Sequence, residues 1–191
     1  MKKAVLFIAV LVMLNGAAGM STLGAQETGP TAVISNHYAA RNFTSGAVTQ
    51  GELDRILTAG LRAPSASNRQ PWYFTVVRNH ALANQIVPNM PDGNILIIIS
   101  ASGDGKTNVR EILDCGLATQ SIYLAAQALG LGSRIYTGPM DTINRRFKTD
   151  LGFPNGYGAV ALVRIGRVQP DVDAVSAASF RKSLDSTVNY R

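Results

Sequence analysis

Few residues in this chain are of a type that does chemistry unaided, and their spacing withholds the usual partners. Cys115 is the single cysteine, so neither an internal disulfide nor a cysteine-built metal cluster is available. It falls on the apolar face of a helical pattern, which suits a buried, inert thiol. His37 and His80 have no neighbour at metal-ligand spacing, so no metal site is expected. Ser65 and Ser67 lack a nearby histidine, and no Gly-x-Ser-x-Gly occurs. No phosphate-cradling glycine loop opens a helix, and Asp104 and Asp114 read as solvated or capping residues. What remains is Arg62 to Val77, RAPSASNRQPWYFTVV, where Ser65, Ser67, Asn68, Arg69 and Gln70 crowd hydrogen-bonding groups between a helix end and a strand. Such a loop suits a flat, polar molecule, and the chemistry of such a chain comes from something bound.

The elements that must position this loop are legible from periodicity. A helix is expected up to about Ala40. Thr49-Gln-Gly-Glu52 is a capping box, and Leu53, Ile56, Leu57 and Leu61 follow on one helical face until Pro64. Trp72–Val77 reads as a strand, 79–90 as a short helix and Pro91-Asp-Gly as a turn. The run Ile95–Ile99 reads as a central strand buried on both faces. The longest helix runs from about Val109 to Leu129, apolar on most sides and so expected to be nearly enclosed, and Gly130 stops it. Ser133–Tyr136 is a short strand, Asp141 caps a helix reaching Thr149, and Ala159–Ile165 is another buried strand. The residues from Asp171 onward look like an extended arm.

Composition narrows the function classes. The 191 residues, 46% hydrophobic and 16% charged, form one folded domain. Residues 1–25 have the anatomy of a signal peptide: Lys2 and Lys3, then an apolar run from Ala4 to Leu14, then small residues before Gln26. The apolar run is short for a bilayer span, which favours the signal peptide; the alternative is an uncleaved N-terminal anchor. Export to the periplasm or beyond is expected, with residues 26–191 as the mature domain. Setting aside the two leader lysines lowers the formal charge from +6 to about +4. The basic residues are scattered, densest at Arg145, Arg146 and Lys148, which argues against nucleic-acid binding.

The loop RAPSASNRQPW resembles the flavin loop of the nitroreductase family, whose members are FMN-dependent enzymes of an α+β fold. Other segments agree in order. Arg41-Asn-Phe43 resembles the end of an Arg-x-Ser-x-Arg-x-Phe element. Asp114-Cys-Gly-Leu-Ala-Thr-Gln120 through Gly130-Leu-Gly132 resembles the central dimer helix and its ending. Ile135-Tyr-Thr-Gly138 is similar to the segment that meets the flavin ring, Gly152-Phe-Pro to Gly166 to the following helix end and strand, and Phe180-Arg-Lys-Ser-Leu-Asp185 to a C-terminal Arg-Lys-Pro-Leu-Glu element.

The resemblance implies a three-layer fold with a mixed, mainly antiparallel sheet, long flanking helices and a C-terminal arm. It implies a homodimer with FMN bound between subunits. Arg41 would lie at the pyrimidine edge of the ring, favouring its reduced anionic form. Pro64, Ser65, Ser67 and Asn68 would reach FMN from the neighbouring subunit. Thr137 and Gly138 would offer backbone near the reactive edge, and Arg181, with Lys182, would hold the phosphate. His37 and Ala39 stand where the family commonly has Arg and Ser. His37 reads equally as a substitute cation or as a surface histidine. The implied activity is transfer of electrons from NADH or NADPH through FMN to a nitroaromatic, quinone or similar small acceptor, by a ping-pong cycle. A different flavin reaction, such as dehalogenation or azoline oxidation, would differ only in cleft residues. The competing reading is a non-catalytic dimeric scaffold, which the His37 and Ala39 departures and the export signal favour.

Overall fold

The five residues Ile95–Ile99 have 0–2% of their surface exposed, because a strand lies on each side of them and a helical layer on each face. In a computed structural model that describes residues 29–169 and 180–191, they begin strand β3 (Ile95–Ser102). β3 pairs with β2 (Tyr73–Val77) on one edge and β5 (Tyr157–Val168) on the other. β4 (Gly132–Tyr136) and the two-residue β1 (Phe43–Thr44) also pair with β5. Interleaved with them are α1 (Pro30–Asn36), α2 (Gln50–Leu61), α3 (His80–Ile86), α4 (Val109–Ala128) and α5 (Met140–Arg146). The leader at 1–25 and most of the stretch joining β5 to the arm lie outside the described residues.

Alternation along β3 and β5 sends side chains to two cores. Ile95, Ile97, Ile99, Val163 and Ile165 meet Leu53 and Ile56 of α2 and Cys115, Ala118, Ile122 and Ala126 of α4. Leu96, Ile98 and Leu162 meet Ala83 and Ile86 of α3, Met140 and Ile143 of α5, and Phe147. Each large aliphatic side chain buried this way contributes about 1.5–3 kcal/mol. The expected three-layer α+β architecture is therefore present, and among the described residues the strand pairings are all antiparallel where a mixed, mainly antiparallel sheet was expected.

Several boundaries differ from expectation for local reasons. α1 stops at Asn36, not near Ala40, because the next residues run extended along α4 and β4. α3 ends at Ile86; Pro88 restricts the residue before it, and Asn84 Oδ1 accepts the Met90 N–H. Asp141 is not the cap of α5, since Pro139 holds that position and Asp141 pairs with Lys106 at 2.6 Å; the helix ends at Arg146. Leu61 is 54% exposed and not part of the core. α4 is not enclosed: Val109, Leu113 and Leu117 form an exposed apolar line at four-residue spacing.

The capping box that starts α2 does more than satisfy its own amides. Thr49 N–H and Oγ1–H donate to Glu52 Oε2, and Arg167 of β5 donates to both Glu52 carboxylate oxygens at 2.8 Å. The Arg167 hydrogen bonds, ahead of those from Thr49, hold the Glu52 carboxyl down at about 2. A carboxylate held below its unfolded value stabilises the fold above that value, and the contribution is lost as pH falls from about 4.5 towards 2. Glu52→Gln is expected to cost about 1–2 kcal/mol at neutral pH and to reduce the acid sensitivity between pH 4.5 and 2. Denaturant unfolding at pH 7, 4 and 3 checks this; an equal pH slope in the variant would refute the linkage.

Candidate functional site

The loop between α2 and β2 has an unusual backbone. Ser67, Asn68 and Gln70 have φ of 54°, 55° and 47°, a left-handed conformation that side-chain-bearing residues adopt at a cost of roughly 1–2 kcal/mol each. Three contacts enforce it. Asp114 of α4, only 3% exposed, accepts the Ala66 N–H at both carboxylate oxygens, 3.1 and 3.2 Å. Ser65 Oγ accepts the Gln70 N–H at 3.0 Å, and Gln70 Nε2 donates to Asn68 O and Oδ1. Pro64, Ser67 and Asn68 are left exposed and Ser65 half-buried. Asp114 is thus neither solvated nor a helix cap. An acid amid the apolar positions of a helix was the available signal, but its partner lies 48 residues away.

At the opposite end of α4, Gln127 holds the segment that carries Arg41. Its Oε1 accepts the Tyr38 N–H at 3.1 Å, and its Nε2 donates to Tyr38 O at 2.8 Å and to Ser133 Oγ at 2.9 Å. Ala40 N–H then bonds Ser133 O, which fixes the next residue, Arg41, beside the start of β4. Arg41 and Ala39 are exposed. His37 is half-buried, not a free surface histidine. Its ring meets that of Tyr123 edge-on at 5.6 Å, and its Nδ1 lies against Ile34 O.

Burial pushes the Tyr123 phenol above its ordinary range, while a hydrogen bond with Gln127 and the Arg181 charge draw it back. The fold therefore sets His37 against Tyr123 of α4 and Arg41 beside the start of β4, and Arg181 is exposed on the C-terminal arm. Lys182 is exposed on the same arm.

Thr137 and Gly138 form an exposed turn at the end of β4, closed by Met140 N–H to Thr137 O at 3.2 Å. No atom lies within 4 Å of where a Gly138 side chain would begin, so the backbone is open to a planar ligand. Cys115 is fully buried, and desolvation followed by the Asp114 charge pushes its thiol up to about 12, which keeps it protonated and unreactive. His80 is occupied by Met90 O and the Asp92 carboxylate.

These features fit FMN in kind: exposed arginines for an anionic ring edge and a phosphate, a rigid loop of polar groups, and an open glycine backbone. They do not meet within one chain. Asp114 and Gln127 are thirteen residues apart on α4, about 20 Å at 1.5 Å per residue.

The sequence pattern of the nitroreductase family matches residues 34–93 and 82–167. A provisionally named NADH dehydrogenase/NAD(P)H nitroreductase of Archaeoglobus fulgidus is 28% identical over 155 residues, 76% of this chain and 88% of that protein. One of the same name from Methanothermobacter thermautotrophicus is 33% identical over 112 residues, 55% of this chain and 58% of that protein. Among solved structures, a nitroreductase with bound FMN from Desulfitobacterium hafniense superposes with a TM-score of 0.70 at 23% identity, covering 84% of this chain and 97% of that one. With the family pattern spanning both polar hooks of α4 and all five strands, the chain belongs to the nitroreductase family.

Proposed function

We propose that this protein is an FMN-dependent oxidoreductase that passes electrons from NADH or NADPH to a nitroaromatic, quinone or similar small acceptor, the two substrates using one cleft in turn. The observation that supports this most is the separation of the two half-sites along α4. A two-fold axis near the middle of that helix would set the Asp114 end of one copy beside the Gln127 end of the other. The strained loop of one subunit would then face Arg41 and Arg181 of its partner. The exposed line Val109, Leu113 and Leu117 supplies apolar surface for such a homodimer. So does a cavity of about 390 Å³ lined by Val33 and Ile34 of α1, Ala59 of α2 and Leu124 and Ala128 of α4.

Within that site each residue has a physical task. Arg41 places a permanent positive charge where negative charge accumulates on reduction. Arg181, with Lys182 beside it, holds the phosphate through charge-assisted hydrogen bonds. Pro64, Ser65, Ser67 and Asn68 present a preformed polar surface whose ordering cost has been met during folding. Thr137 and Gly138 let backbone approach the ring edge, and no side-chain acid is required. Bound FMN supplies the electron-carrying chemistry itself. The signal-peptide pattern of residues 1–25 supports an exported protein.

Three outcomes test the reading. The purified mature protein is expected to be yellow, with its visible absorbance bleached by NADH or NADPH; a colourless protein that ignores micromolar FMN would establish the scaffold reading instead. Arg41→Ala is expected to slow flavin reduction about tenfold or more in stopped-flow traces, with the fold retained by circular dichroism. Asp114→Ala strands the Ala66 N–H and frees the loop, so FMN affinity is expected to fall about tenfold by fluorescence titration. Unchanged affinity in that variant would show that the loop does not contact the cofactor.

A further inference from the structure

Arg164 is a buried cation, 7% exposed, and among the described residues no carboxylate pairs with it. The ion pairs among the described residues are His80–Asp92, Lys106–Asp141 and Arg167–Glu52. Arg164 instead donates from Nε and Nη2 to Asn94 Oδ1, at 3.2 and 3.0 Å, and lies over the Phe43 ring, 4.0 Å from its centroid. Asn94 is itself buried and donates to Thr44 O at 2.9 Å. It fits there only because residue 166 is glycine, where a Cβ would come within 2.4 Å of the Asn94 amide carbon. An amide oxygen carries no net charge, so these contacts orient the guanidinium without neutralising it.

The uncompensated charge is doubled across the sheet. Arg134 stands directly opposite Arg164 in the β4–β5 register, where like charges repel. Its guanidinium lies over Tyr136, 4.9 Å from the ring centroid. Both arginines are thus held against aromatic faces, and neither hydrogen bond to Asn94 uses Nη1 of Arg164. Arg134 and Tyr136 are half-buried, so this part of the sheet remains open to solvent. Burial depresses Arg164, and Arg134 adds to the effect, while Tyr136 opposes it.

A charge arrangement of this kind costs stability unless an anion completes it. We propose that Arg134 and Arg164 form an oxyanion-recognition site for the carboxylate or phosphate group of a small organic molecule. The site is distinct from the residues assigned to the flavin phosphate, Arg181 and Lys182. Its two edges lead towards the flavin cleft, since Tyr136 precedes Thr137 and Phe43 follows Arg41 by two residues. An anionic group held here gives the protein a means of selecting acidic donors or acceptors over neutral ones.

Thermal-shift titrations of the purified mature protein with sodium phosphate and with sodium benzoate, ionic strength balanced by sodium chloride, test the proposal. Saturable stabilisation by at least one of the two probes is expected, and which probe acts distinguishes a phosphate from a carboxylate preference. The half-saturating concentration is expected to rise about tenfold in Arg134→Gln, whose half-buried position should leave the fold intact. Arg164→Lys, which keeps the charge but loses the planar fork, is expected to weaken the response as well. Repeating the titration with saturating FMN separates the two sites: the response should persist, and its loss would assign the anion to the flavin pocket and overturn the proposal. Stabilisation that follows ionic strength alone, or is unchanged in Arg134→Gln, would also overturn it. None of these outcomes depends on the protein being coloured or active.

Discussion

Two polar side chains of one helix, Asp114 and Gln127, fix where two groups of candidate site residues stand, the loop after Pro64 and the segment from His37 to Arg41. Each reaches out of α4 to satisfy backbone that belongs to no regular element: the Ala66 amide in one case, both polar groups of Tyr38 in the other. Buried backbone groups left unpaired cost about as much as a lost hydrogen bond, so these hooks are structural necessities. Their effect is nevertheless functional. They turn a polar loop and an extended segment into rigid surfaces, one bearing Ser67 and Asn68, the other Arg41. The remainder of α4 buries Cys115, Ala118, Ile122 and Ala126 beneath the sheet, which gives both hooks a common, immobile base.

The cost of that arrangement appears in the loop backbone. Three side-chain-bearing residues in the left-handed region persist only where surrounding contacts over-determine them. Asp114, Ser65 and Gln70 supply those contacts. Strain held this way removes conformations that a ligand would otherwise have to suppress, and so favours binding without adding a contact to it. The segment at the far end is organised differently, by a ring contact between His37 and Tyr123. His37, where the resemblance leads one to expect an arginine, is half-buried and packed against the Tyr123 ring.

The sheet shows the same economy of small residues beside charged ones. Gly166 makes room for Asn94, and Asn94 orients Arg164 and holds β1 through Thr44. Gly132 is likewise hemmed in by Val168, Ala40 and Phe43, so the segment leading to Arg41 packs closely on β4. Arg167, three residues from Arg164, points to the opposite face and is neutralised by Glu52. One strand therefore carries an arginine paired with a carboxylate and another held by an amide oxygen and an aromatic face.

Local physics written in consecutive residues determined a great deal here. The capping box at Thr49, the doubly buried run Ile95–Ile99, the left-handed stop at Gly130 (φ 75°) and the alternation of helices and strands each depend on neighbours within a few positions. The polar character of the loop after Pro64 was equally plain. Tertiary structure alone decided what those residues touch. Asp114 reads as an ordinary helical acid until Ala66 is brought back 48 residues to meet it, and Gln127 reads as a surface glutamine until Tyr38 returns across 89. β1, with two residues, is too short to show a period. The opposition of Arg134 and Arg164 is set by strand register, which no single strand encodes. The division follows from the range of the forces: propensity and periodicity act along the chain, whereas hydrogen-bond satisfaction and charge compensation act through space.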